Sequence, residues 1–160
     1  MYWSLDPHTA AYGRFQLAFT ALDTTVSDSL VALQRPSDPQ RAFAETKRRL
    51  RLFGYRLTEL IAKVEQCGEN EVTRAVLDAC ATARQISKWR NSRVHAKVRF
   101  VRDELVLVGD DEMPVQITDR LCDEQASRAI EALVQIKARM PFLVSCLNVH
   151  DMIDSEPTLS

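Results

Sequence analysis

Residues 84–102 carry seven basic side chains and no acid, and Arg90, Asn91 and His95 lie at the centre of the run. These three residue types suit chemistry on an anion. An imidazole titrates near neutrality and can move a proton. A guanidinium stays charged and grips two anion oxygens at once. An amide both donates and accepts hydrogen bonds. Arg84, Lys88, Arg93 and Lys97 surround them. The chain holds 21 basic and 22 acidic residues, so the remaining 141 residues carry 14 basic groups against all 22 acids. A formal net charge of −1 gives no global pull toward nucleic acid or an anionic membrane. A basic patch on an acidic body points instead to a local anionic ligand.

The stretch must be held by the helix that leads into it. Val72, Val76, Ala79, Ala83 and Ile86 recur at steps of three and four, the spacing of one helix face. The next two places on that stripe are Arg90 and Arg93. An apolar seam that turns cationic predicts that the end of this helix faces a polar space or a partner, because burying two guanidinium groups in a dry core is costly. At about 100° per residue, Asn91 and His95 lie about 40° apart but Arg90 and His95 about 140° apart. Arg90 and His95 therefore meet only if the helix ends near His95, or if a second copy completes the site across a two-fold axis.

The elements around this helix follow from the same periodicity. Phe15, Phe19, Leu22, Val26, Leu30 and Leu33 mark a first helix over residues 9–34 that stops before Pro36. Ser37 and Asp38 before Pro39 signal the start of a second, with a stripe through Phe43, Leu50, Phe53, Leu57, Leu60, Ile61 and Val64. Gly54 inside this stripe allows a kink, a close helix contact or a break into two helices, and Gly68 suits a C-cap. Asn70 caps the third helix, with Glu71 in its first turn. After His95 the period changes to two, through Val98 and Phe100, Leu105–Val108 and Val115–Ile117. Thr118 or Asp119 opens a last helix through Leu121, Ile130, Leu133, Ile136, Met140, Leu143 and Leu147, with Pro141 expected to kink or interrupt it. The expected fold is mainly α: an up-and-down bundle of about four helices, with a small β hairpin or meander at about 98–117 inserted before the last. Residues 1–150 form one domain, and 151–160 a loose acidic tail.

Composition narrows the chemistry further. Four glycines are too few for a P-loop or a dinucleotide fingerprint. Cys67, Cys80, Cys122 and Cys146 are far apart, without a C-x-x-C pair, and read as reduced, mostly buried residues. No metal and no other cofactor is expected. The N-terminus lacks a basic and an apolar region, and no run nears the roughly 20 apolar residues that span a bilayer. The chain therefore reads as soluble and cytoplasmic, without a membrane partner.

Arg90-Asn91-Ser92-Arg93-Val94-His95 resembles the signature of HEPN domains: an arginine, a polar residue, a spacer and a histidine. Trp89-Arg90-Asn91 followed by Val94-His95 is similar to the common version, with asparagine after the arginine and an apolar residue before the histidine. The chain departs from the family in its insert at 98–117, and in Ala96, where a glycine often follows the histidine. The resemblance implies a helical bundle that dimerises with its motifs facing each other. It also implies a metal-independent endoribonuclease, a hydrolase often found as a toxin of toxin–antitoxin pairs or an antiviral defence effector. In that chemistry the RNA 2′-hydroxyl attacks the adjacent phosphate. His95 transfers the proton, Arg90 stabilises the developing charge, and Asn91 orients the imidazole or binds the sugar. Arg93, Lys97, Lys88 and Arg84 hold flanking phosphates. A nucleotidyltransferase-type antitoxin is the implied partner besides RNA and a second copy of the chain.

Two other readings stay open. The same patch suits a non-catalytic HEPN-like scaffold that binds a protein, a nucleotide or RNA. It also suits a structural bundle in which Arg90 and Arg93 pair with acids across an interface. Arg84, Lys88 and Lys97 equally suit a solvated face. Trp89 reads as a packing anchor rather than a base-stacking platform. The Lys47–Arg51 run reads as surface that could extend a phosphate path.

Overall fold

The computed structural model describes residues 7–94, 97–101, 104–108 and 118–153. The chain is mainly helical: α1 (Pro7–Gln34), α2 (Pro39–Arg49), α3 (Phe53–Glu65), α4 (Glu71–Val94) and α5 (Asp119–Ile153). Between α4 and α5, β1 (Lys97–Val101) and β2 (Glu104–Val108) pair antiparallel, with Lys97 opposite Val108 and Val101 opposite Glu104. The expected strand at 115–117 lies outside the described residues, as do 102–103 and 109–117 as a whole. Helix α1 packs against α5, α3 and α2, and α4 against α5 and α3, so four of the helices close around one core. No helix among the described residues is long and apolar enough to cross a membrane.

The helix ends follow their local chemistry. Asp38 Oδ1 accepts from the Arg41 N–H at 3.0 Å, with Pro39 in the first turn of α2. Asn70 Oδ1 accepts from the Thr73 N–H at 2.9 Å, and Thr73 Oγ1 accepts from the Asn70 N–H at 3.0 Å. This reciprocal pair satisfies two backbone donors at the start of α4. Thr118 Oγ1 accepts from the Leu121 N–H at the start of α5. Gly68 takes a φ of 76° after α3, a left-handed position that suits glycine. Arg35 takes the same region (φ 47°) after α1, and Pro36 then bars continuation.

The core contains Phe15, Leu22, Val26 and Leu30 of α1, Leu57, Leu60 and Val64 of α3, and Val76, Cys80, Ala83 and Ile86 of α4, all fully buried. Of the three outcomes open at Gly54 the chain takes the break into two helices, and expectations change at Pro141, at the tail and at Ile130. The stripe from Phe43 to Val64 divides, because the chain breaks at residues 50–52, just before Gly54, into α2 and α3. A Cβ at Gly54 would meet nothing within 4 Å, so no close helix contact needs a glycine there. Pro141 does not interrupt α5, which is continuous through it and on to Ile153, three residues into the expected tail. Ile130 is 52% exposed, because α5 turns Ala126, Ala129 and Ala132 inward and Ile130 falls about 100° past Ala129.

Candidate functional site

The seam of α4 behaves as its pattern requires. Val76, Ala79, Ala83 and Ile86 are buried, and the stripe then reaches Arg90 and Arg93, both half-buried. Each guanidinium is laid over an aromatic ring. Arg90 Cζ stands 4.9 Å from the centre of the Phe19 ring, and Arg93 Cζ 4.3 Å from that of Trp89. Such contacts let a cation leave part of its hydration shell. Trp89 is itself set edge-on to Phe15, with centroids 4.8 Å apart, which makes it a packing anchor.

From there the two arginines diverge. Arg93 Nη1 donates to the Trp89 carbonyl at 3.2 Å and to Ser92 Oγ at 2.6 Å. Burial lowers its pKa from the ordinary value, opposed by the nearby Cys122 and Tyr12. Arg90 reaches α1 instead. Its Nε donates to Gln16 Oε1 at 3.2 Å and its Nη1 to Asn91 Oδ1 at 3.5 Å, while among the described residues Nη2 has no partner.

Arg90 and Asn91 line a cleft of about 640 Å³ between α1, α3 and the C-terminal half of α4. Ser87 and Arg84 line it about one and two turns earlier on α4, and Arg51, Arg56 and Tyr55 line it from the α2–α3 corner. The cleft therefore gathers four guanidinium groups. Its one acid, Asp23 on α1, is already engaged: Arg56 donates to Asp23 Oδ1 through Nε, at 3.1 Å, and through Nη2, and Lys47 Nζ donates to Oδ2 at 2.8 Å. Arg56 Nη1 also donates to the carbonyls of Leu50 and Arg51, at 2.5 and 3.0 Å, and so closes the turn between α2 and α3. Arg84 donates to Thr58 Oγ1 at 3.4 Å. Among the described residues neither Arg51, Arg84 nor Arg90 has an acid within ion-pair distance. No side chain caps the start of α3, whose first residues Phe53 and Gly54 also line the cleft. An anion entering here meets three guanidiniums not neutralised by an acid among the described residues, in a partly walled space that strengthens the attraction.

The structure thus brings Arg84, Arg90 and Asn91 together on one cleft. Arg93, a turn further along the same seam, does not line the cleft, and Lys88 is exposed outside the cleft lining. His95 lies outside the described residues, and of Lys97 only the backbone, in β1, is described. Asp23, Tyr55 and Arg56 carry no signal in the sequence pattern. Arg51 carries one, as the end of the Lys47–Arg51 run. The cysteines offer no competing nucleophile near the cleft: burial pushes the Cys80 thiol up to about 12, although Arg84 pulls it the other way. A second recess, of about 610 Å³, lies between the end of α1 and the start of α2, is mostly apolar, and holds none of these groups.

The chain matches no family model, no curated protein and no solved structure.

Proposed function

We propose that the chain is a metal-independent endoribonuclease of HEPN type, cleaving RNA by attack of the 2′-hydroxyl on the neighbouring phosphate. The observation that carries this reading is the place of Arg90: at the motif's first position, on a cleft of four arginines, with an amino group turned to no protein partner among the described residues. Arg90 Nη2 and Arg84 bind the phosphate oxygens and stabilise the charge that builds on them. Asn91, bonded to Arg90, fixes the guanidinium plane and meets the sugar. His95 supplies proton transfer. On a continuous helix Arg90 and His95 would stand about 140° apart, and this reading takes a homodimer as its unit, the histidine of one copy serving the arginine of the other. In a cell such an activity fits a toxin or antiviral effector in the cytoplasm, held in check by a nucleotidyltransferase-type antitoxin.

The test is incubation of purified protein with RNA in EDTA. Products ending in 2′,3′-cyclic phosphate, lost in Arg90→Ala and in His95→Ala, are the expected result. Equal cleavage by the variants would assign the activity to a contaminant.

One observation favours a second reading, a non-catalytic HEPN-like scaffold that binds RNA, a nucleotide or a protein at this cleft. Arg90 is half-buried and fixed by Phe19 and Gln16 of α1, as a packing residue would be. Salt-sensitive RNA binding without cleavage would decide for it.

A further inference from the structure

We propose that the corner between α2 and α3 is a nucleotide subsite, in which Tyr55 stacks on an unpaired base of single-stranded RNA while Arg51 and Arg84 hold the adjoining phosphates. The proposal rests on the RNA reading of the Arg90 cleft and extends it to the path of the strand. Seven large apolar side chains stand exposed among the described residues, and of these only Leu52, at 61%, and Tyr55, at 62%, line the cationic cleft. Single exposed apolar residues are ordinary on a protein surface. An exposed ring that shares a recess with three arginines lacking an acid partner among the described residues is a different arrangement.

The chemistry of the occupant follows from what the corner offers. It presents a flat apolar face with a hydroxyl at its tip, a leucine that lines the same cleft, and guanidinium groups on that cleft, Arg51 from the turn and Arg84 from α4. A nucleotide carries the complement: a base with an apolar face, joined through a sugar to phosphates. Gly54, between Leu52 and Tyr55, has open space where a side chain would project, so the floor of the corner admits a planar group. The backbone of the corner is also braced. Arg56, 3% exposed, ties the Leu50 and Arg51 carbonyls to Asp23 of α1, so the turn that carries Arg51 and leads into Tyr55 is set before any ligand arrives. Stacking on a ring needs a base free of its neighbours, which selects single strands over duplex. From Tyr55 the strand runs across Arg84 and Ser87 to Arg90 and Asn91.

The test measures binding of a short fluorescein-labelled 2′-O-methyl RNA, which lacks the nucleophile for cleavage, by anisotropy with the full chain. Replacing one base with 2-aminopurine reports stacking as quenching. Wild type is expected to bind the single strand more tightly than the same sequence in duplex and to quench the 2-aminopurine. Tyr55→Ala should weaken binding about tenfold or more and remove the quenching, while Tyr55→Phe keeps both. Arg51→Gln and Arg84→Gln should each lower the slope of log affinity against log salt by about one. Tyr55 is exposed and bonded to nothing through its side chain among the described residues, so its variants fold. Wild-type affinity and quenching in Tyr55→Ala, or equal affinity for single strand and duplex, would overturn the subsite. The cleavage reading stands or falls separately. If ordinary RNA stays intact while the Tyr55 dependence holds, the ribonuclease proposal fails and the subsite remains; cleavage without Tyr55 dependence has the opposite meaning.

Discussion

Arg56 and Arg90 line the same cleft from facing helices, and the chain treats them in opposite ways. Arg56 is buried, and all three of its nitrogens are used: two on Asp23 and one on the carbonyls of Leu50 and Arg51. Its charge is neutralised by an acid of the protein itself, and what it does is hold α1, α2 and α3 in register. Arg90 has a ring and an amide around it but no acid among the described residues, and one amino group left open. A guanidinium that is fully satisfied shapes a site, and one that is supported without being neutralised is available to a ligand.

The comparison is broken or sharpened first at Arg56. Arg56→Met leaves Asp23 with Lys47 alone and two carbonyls without their donor, and is expected to destabilise the fold by about 3–5 kcal/mol. Urea unfolding measures this, and cleavage per folded molecule at saturating RNA should stay within a few-fold of wild type, any further loss falling on RNA affinity through the α2–α3 corner that Arg56 braces. Arg90→Ala reverses the pattern. Cleavage is expected to fall on the order of 100- to 1000-fold, the range for removing one donor to a charged transition state. Stability should fall by only about 1 kcal/mol, from the lost Phe19 and Gln16 contacts. A large stability loss at Arg90 with activity intact would erase the distinction.

Smaller changes refine it. Lys47→Met removes the outer cation from Asp23, which keeps Arg56, and should cost about 1 kcal/mol with no effect on cleavage. Gly54→Ala places a methyl in open space in the first turn of α3, where it is expected to raise stability by about 0.5–1 kcal/mol by restricting the unfolded chain. Its RNA affinity separates space from stability: a more stable variant that binds RNA less well locates ligand at that floor.

Much of this arrangement is legible in the residues themselves. Asp38, Asn70 and Gly68 act within three residues of their own backbone, and such local chemistry can be read along the chain. The turn of the α4 seam from Ile86 to Arg90 and Arg93 is also local, being a matter of helical phase. What the pattern could not give is which way each arginine leaves that seam. That is decided by Phe19 and Gln16 on α1 for Arg90, and by Trp89 and Ser92 for Arg93. The break between α2 and α3 has the same character. Gly54 marks its neighbourhood, but Arg56 makes it, through an acid 33 residues away. On α5 the expected phase fails at Ile130 because small residues, Ala126, Ala129 and Ala132, form the buried stripe there and carry little hydrophobic signal. Pro141 is carried inside a helix that packs along α1 and α4, where tertiary contacts outweigh one lost backbone bond.

The most direct measurement is the chemistry of RNA ends after incubation in EDTA with wild type, Arg90→Ala and Arg56→Met, each compared at equal folded concentration. The account predicts 2′,3′-cyclic phosphate ends from wild type and from Arg56→Met, and none above background from Arg90→Ala. Equal product from Arg90→Ala would contradict it.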